Sequence, residues 1–143
     1  MSLETPHDPG NLVRQYFGLL SGAPIERAEA ILADRFVFSH PPLTPAGGSV
    51  GRAAFLTNIL GPTRAAFPDM TFQVHALLVE GDAACARWTM MATHRGPYMG
   101  VTATENAVRV NGINIFHTSD GRIGATWVAR DNVGLLRQLG VSL

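Results

Sequence analysis

The chain has 143 residues and a single cysteine, Cys85, so no internal disulfide and no cysteine-built metal site can form. Cys85 lies in an apolar run, Ala83-Ala-Cys-Ala86, which suits a buried and inert thiol. Charge is also scarce. Asp, Glu, Lys and Arg make up 15% of the residues and formally cancel. No cluster of basic residues exists, so nucleic acid is not an expected partner. No stretch is long enough to span a membrane. The opening Met-Ser-Leu-Glu-Thr-Pro has no signal-peptide pattern. A soluble protein of the cytoplasm is the resulting expectation. Repeats, linkers and low-complexity segments are missing, which leaves one domain over residues 1–143. Histidine and acid spacings typical of a metal site do not occur. The glycines follow neither phosphate-loop nor dinucleotide order. Gly-x-Ser-x-Gly is absent, and the near match Gly47-Gly-Ser49-Val-Gly51 better suits the start of a helix.

Hydrophobic residues are what the chain does have, at 46%. With so little charge, they suit a deep apolar cavity, a buried subunit interface, or both. Asp8-Pro9 reads as a cap and first helical position. Leu12, Val13, Tyr16, Phe17 and Leu20 then form an apolar helical stripe that Ser21-Gly22 stops. Pro24 opens a second helix carrying Ile25, Ala28, Ile31 and Leu32. Phe36-Val-Phe38 is a short strand, and His40 to Gly48 is a proline- and glycine-rich loop. A third helix carries Ala54, Phe55, Ile59 and Leu60 up to a stop at Gly61-Pro62, with a further turn over Thr63 to Phe67.

The second half alternates instead. Met70 to Glu80 and Ala83 to His94 are strands joined at Gly81-Asp82. Ala107 to Thr118 and Ile123 to Arg130 form another hairpin over Ser119-Asp-Gly-Arg122, and Val133, Leu135, Leu136 and Leu139 belong to a last helix. Helices followed by a run of antiparallel strands make an α+β fold, with helices on one face of a curved sheet. Such a sheet leaves a cone-shaped cavity for a ligand.

Four polar residues are candidates for that cavity. Asp131 ends the strand Ile123 to Arg130 and precedes the last helix. In apolar surroundings its carboxyl would exchange protons near neutral pH; equally, Asp is a preferred helix cap. His40 follows the first strand and suits a base or donor at a rim, or an ordinary loop position. Tyr16 sits on the apolar helix face and needs a partner for its hydroxyl. Asn114 interrupts the apolar strand Gly112-Ile-Asn-Ile-Phe116 and must be satisfied there. If the last hairpin pairs symmetrically about Asp120-Gly121, Asn114 faces Trp127, and Asp131 shares their side of the sheet. A structural network beneath the helices explains the same residues.

Several strings carry a resemblance. They are Ala66-Phe-Pro-Asp-Met70, Glu80-Gly-Asp82, Arg87-Trp-Thr89, Thr93-His94-x-Gly96, Gly112-Ile-Asn-Ile-Phe116, Asp120-Gly-Arg-Ile123, and Trp127-x3-Asp131 running into Gly134-Leu-Leu-x-Gln-Leu-Gly140. In this order they resemble the SnoaL-like polyketide cyclases of the nuclear-transport-factor-2-like superfamily. The resemblance implies a cystatin-like cone in which a curved antiparallel sheet wraps the N-terminal helices. It implies an intramolecular aldol condensation without metal or organic cofactor, with Asp131 as general acid/base. Ketosteroid isomerases share the cone, and Tyr16, His40 and Asn114 fall where their three site residues stand, although His and Asn replace acids. Ala125-Thr126 replaces a common Glu-His pair, and Val101-Thr-Ala-Thr-Glu105 departs from the usual loop. The epoxide-hydrolase branch needs acids that Thr89 and Val128 do not supply.

The reading is therefore a small cyclase acting on an apolar carbonyl compound. Phe17, Phe38, Phe55, Trp88 and Trp127 would wall the cavity, Asp131 would move the proton, and His40, Tyr16 and Asn114 would hold the oxygen. The alternatives are a non-catalytic small-ligand binder, or an isomerase or hydrolase, on the same cone. Superfamily members commonly form homodimers, and Arg87, Thr89, Met91 and Thr93 would lie on an outer sheet face.

Overall fold

The structure is a computed structural model, and it describes Thr5, residues 7–39 and residues 48–143. Helix α1 spans Pro9–Leu20 and starts as its sequence requires. The Asp8 carboxylate accepts the Asn11 N–H at 2.9 Å, and Pro9 needs no partner at the first helical position. Its apolar face, including Leu12, Val13, Tyr16 and Phe17, is buried. A short 3-10 turn over Ile25–Arg27 leads into α2, Ala28–Ile31, and then directly into strand β1, Leu32–Ser39.

Strand β2, Gly48–Val50, is not foreseen from the sequence. It pairs antiparallel with β1 where a helix start was expected, and Gly51, at φ +102°, turns the chain into α3, Arg52–Phe55. Gly61-Pro62 also fails to stop the helix. A π turn over Leu56–Leu60 joins α3 to α4, Gly61–Ala66, so the segment runs on through the proline. A π turn absorbs what proline would break, because the extra residue in the turn accommodates a position that cannot donate. A Cβ on Gly61 would stand 3.1 Å from the Leu56 carbonyl oxygen, so glycine fits this crowded turn.

Strands β3, Thr71–Glu80, β4, Ala83–Thr93, β5, Ala107–Ser119, and β6, Arg122–Arg130, follow as two hairpins, and α5, Asn132–Gln138, ends the fold. Asp120 and Gly121 both take positive φ, the geometry of a two-residue hairpin turn matched to strand twist. The six strands lie in the order β2-β1-β6-β5-β4-β3. The sheet is mixed, because β1 runs parallel to β6; the other pairs are antiparallel. The fold class is α+β as expected, with that one parallel pair as a correction. Long-range pairing of β1 with β6 leaves no local signature in either strand.

The last hairpin carries a second correction. Ser119 pairs with Arg122 and Thr118 with Ile123, but His117 then pairs with Ala125. Gly124 is the extra residue of a β-bulge, and from there on the register differs by one from the symmetric pairing. A one-residue slip exchanges the two faces of a strand. Asn114 therefore opposes Val128, not Trp127, and Gly112 opposes Arg130. Thr126 and Val128 are buried inward, while Trp127 is 50% exposed on the outer face.

The core lies between the inner sheet face and the helices. Tyr16 and Phe17 of α1, Phe55 and Leu60 of the α3–α4 segment, and Trp88 and Phe116 of the sheet are all buried there. On the outer face, Leu78, Cys85, Ile115 and Trp127 are register partners in one row across β3, β4, β5 and β6. Leu78 is 70% and Ile115 52% exposed, so the row is largely uncovered. No helix among the described residues is long and apolar enough to cross a membrane.

Candidate functional site

An apolar cavity opens between α1, the α3–α4 segment and the inner sheet face. One wall is Phe17, Phe72 and Trp88, with ring centroids 5.2 Å apart for Phe17–Phe72 and 5.1 Å for Phe72–Trp88. Another is Tyr16, Phe38 and Phe55, where Phe38 and Phe55 meet at 5.2 Å. About 50 Å³ of it can be reached by the centre of a water molecule. That exceeds the ~10–15 Å³ that one water needs.

Of the expected wall residues, Phe17, Phe38, Phe55 and Trp88 line the cavity. Trp127 does not, because the bulge at Gly124 turns it outward. Tyr16 and Asn114 both line it. His40 lies outside the described residues. Asp131 is not brought to the cavity. It is exposed, and its carboxylate accepts the Gly134 N–H at 2.8 Å as the cap of α5. Its backbone N–H bonds to the Asn111 carbonyl oxygen, on the outward-facing row of β5. The expected grouping of Asn114, Trp127 and Asp131 fails for one reason, the shifted register of β6.

Asn114 is held in one orientation. The Trp88 indole N–H donates to its Oδ1 at 2.8 Å, and its Nδ2 donates to the Thr126 hydroxyl at 2.9 Å. Thr126 in turn donates to the Ile115 carbonyl oxygen at 3.0 Å. This chain fixes the amide so that its remaining N–H can serve a ligand. Trp88 reaches Asn114 only because residue 112 is glycine: a Cβ there would lie 2.3 Å from the indole ring.

Tyr16 is buried in the same cavity, and burial pushes its phenol well above the usual tyrosine range, against an opposing pull from the Arg130 cation. It is therefore a neutral O–H donor at any ordinary pH.

The sequence reading missed two residues. Arg130 lines the cavity because the shifted register points it inward. Its Nε donates to Asn132 Oδ1 at 2.8 Å, and its Nη2 donates to the Tyr98 hydroxyl oxygen at 3.2 Å. Tyr98 also lines the cavity and packs on Phe67 with centroids 5.1 Å apart. It is held by a tight turn in which Tyr98 and Val101 exchange both backbone hydrogen bonds around Met99 and Gly100, each at positive φ. The adjacent His94 is buried and structural. Its Nδ1 accepts the Thr104 N–H at 3.2 Å and anchors the loop that carries Tyr98. A tyrosine in a Gly- and Pro-rich loop was the one available signal. Arg130 carried no sequence signal of its own, since a pairing with the adjacent Asp131 is disfavoured between strand neighbours, which point to opposite faces.

Chemically, the described lining offers donors and no base: among these residues none is Asp, Glu or His. The chain contains no lysine side chain to form a Schiff base. No group of metal-ligating side chains occurs among the described residues. The arrangement can hold and polarise an oxygen atom of an apolar molecule.

The family model described as SnoaL-like polyketide cyclase matches residues 11–139. No curated protein matches the sequence. Among solved structures, wild-type IdmH from Streptomyces antibioticus, described as a candidate polyketide cyclase, is 28% identical with a TM-score of 0.80; the match covers 93% of this chain and 99% of that one. TsrD from Streptomyces laurentii is 26% identical with a TM-score of 0.79, over 97% and 98% of the two chains. A SnoaL-like polyketide cyclase from Agrobacterium tumefaciens, at 18% identity and TM-score 0.76 over 93% and 98%, shares the cone fold.

Proposed function

Because the chain belongs to the SnoaL-like polyketide cyclase family, we propose that it closes a ring on a conjugated, largely apolar carbonyl compound held in this cavity. The observation that carries the reading is the set of oriented donors, Tyr16 and Asn114, within aromatic walls. Flat walls fold a flexible chain into a reactive conformer, which supplies much of the rate gain. The donors then stabilise the enolate and alkoxide oxygens of an intramolecular aldol step. His40, two residues past the wall residue Phe38, is assigned the proton removal and return, without a cofactor. Asp131 takes no part, because its carboxylate is engaged at the start of α5. A homodimer formed over the outer row of Leu78, Ile115 and Trp127 belongs to the same reading, since a second copy would cover an otherwise exposed apolar strip.

The test is turnover of a flexible aryl 1,3-diketone bearing a third carbonyl placed so that attack by the diketone's enolate carbon closes a six-membered ring, followed by absorbance. The protein should accelerate closure over buffer, and Tyr16→Phe and His40→Ala should each reduce the gain. Equal rates with native and heat-denatured protein would overturn the proposal. A second reading, a non-catalytic ligand carrier, draws on the donor-only lining; it predicts binding without turnover.

A further inference from the structure

Arg130 lines an apolar cavity and has no ion-pair partner among the described residues. Its two hydrogen bonds go to neutral oxygens, of Asn132 and Tyr98. The ion pairs among the described residues join Arg52 to Asp34, Arg95 to Glu105 and His117 to Asp82, and none includes Arg130. No described lining residue is acidic, and the sequence has no Asp or Glu between Arg35 and Pro68. A charge taken partly out of water and left unpaired is costly, so such a site favours an anion that pairs with it. The guanidinium engages two of its five N–H bonds, which leaves donors for a planar pair of oxygens. Tyr98, whose oxygen accepts from Arg130, still has its own proton to donate, as does Tyr16.

We infer that the ligand of this cavity carries a carboxylate, and that Arg130 binds it with help from the Tyr98 and Tyr16 hydroxyls. The inference rests on the reading of the cavity as the ligand site. It assigns Arg130 a specificity role: an acid is accepted in preference to its ester or amide. Asn132 positions the guanidinium from outside the cavity.

A flat pair of probes with one skeleton isolates the charge: trans-cinnamate and trans-cinnamamide, titrated into the full chain by calorimetry at low salt. The acid should bind at least tenfold more tightly. Arg130→Gln should abolish that preference, and Arg130→Lys should keep part of it. Asn132→Asp offers a route that retains the arginine. It sets a carboxylate beside Nε, supplies the missing counter-ion from within, and should also erase the preference. Equal binding of acid and amide to the unaltered protein overturns the inference and leaves the ligand cavity standing. A preference that survives both Arg130→Gln and Asn132→Asp overturns it too. Failure of both probes to bind overturns the cavity reading along with it.

Discussion

The indole of Trp88 occupies the space that any side chain at position 112 would need. A Cβ built on Gly112 meets the ring at 2.3 Å, and the ring so placed donates to Asn114 at 2.8 Å. Gly112→Ala should therefore do two things together. It should cost about 1–3 kcal/mol by overpacking, and it should shift Trp88 fluorescence as the indole leaves its hydrogen bond. Urea unfolding followed by fluorescence measures both. An unchanged midpoint with an unchanged emission maximum would show that the two residues are not coupled in this way.

Tyr16 links the cavity to alkaline stability. Its folded-state phenol is raised above the ordinary value near 10 by burial. The unfolded chain therefore loses this proton first as pH rises, so stability is fully present below about pH 10 and declines above it. The chain has two tyrosines and no lysine, which keeps this range uncrowded. Tyr16→Phe should flatten the decline between about pH 10 and 12 while changing stability little at pH 7. The same variant should weaken ligand binding by up to about tenfold, the worth of one hydrogen bond. Thermal melts across pH, paired with ligand titration, check both halves.

Asp131 is a cap by its geometry. Replacing it with Ala should lower stability by about 0.5–2 kcal/mol, whereas Asn, which can still accept the Gly134 N–H, should retain most of it. Neither should change ligand affinity. Loss of binding or turnover in Asp131→Asn, with folding intact, would return this residue to the chemistry.

Trp127 is the test of the outer face. Trp127→Glu places a charge at the β6 end of the row of Leu78, Cys85 and Ile115. Light scattering coupled to gel filtration should show a dimer for the parent chain and a monomer for the variant, with unchanged far-UV circular dichroism. A monomeric parent would remove the dimer from the proposal.

Much of this fold could be read from local chemistry. Asp8-Pro9 and the stripe through Tyr16 define α1, because capping and 3.6-residue periodicity are both local. The two hairpins announce themselves at Gly81-Asp82 and Asp120-Gly121, and Gly81, Asp120 and Gly121 take the positive φ that such turns demand. Cavity walls at Phe17, Phe55 and Trp88 follow once those elements are placed. What escaped was the register beyond one glycine. Between Ile123 and Val128, Gly124 and Ala125 are small enough to suit either face, so the alternation does not say which residue is extra. Everything downstream inherits that ambiguity: Trp127 and Asp131 are expected on the cavity side, and neither lies there. The pairing of β1 with β6 escaped for a related reason, since contact between distant strands is decided by packing and not by either strand's own residues.

Gly124 has a consequence for how this protein could change over time. Were Gly124 drawn into the ladder opposite His117, with no residue lost, the end of β6 would slip by one and carry Trp127 toward the cavity and Arg130 toward solvent. The chemistry on offer at the cavity is thus set by whether one residue is paired or bulged, as much as by the identity of the side chains beyond it. Deleting Gly124 would leave Ala125 opposite His117 and keep both faces as they are.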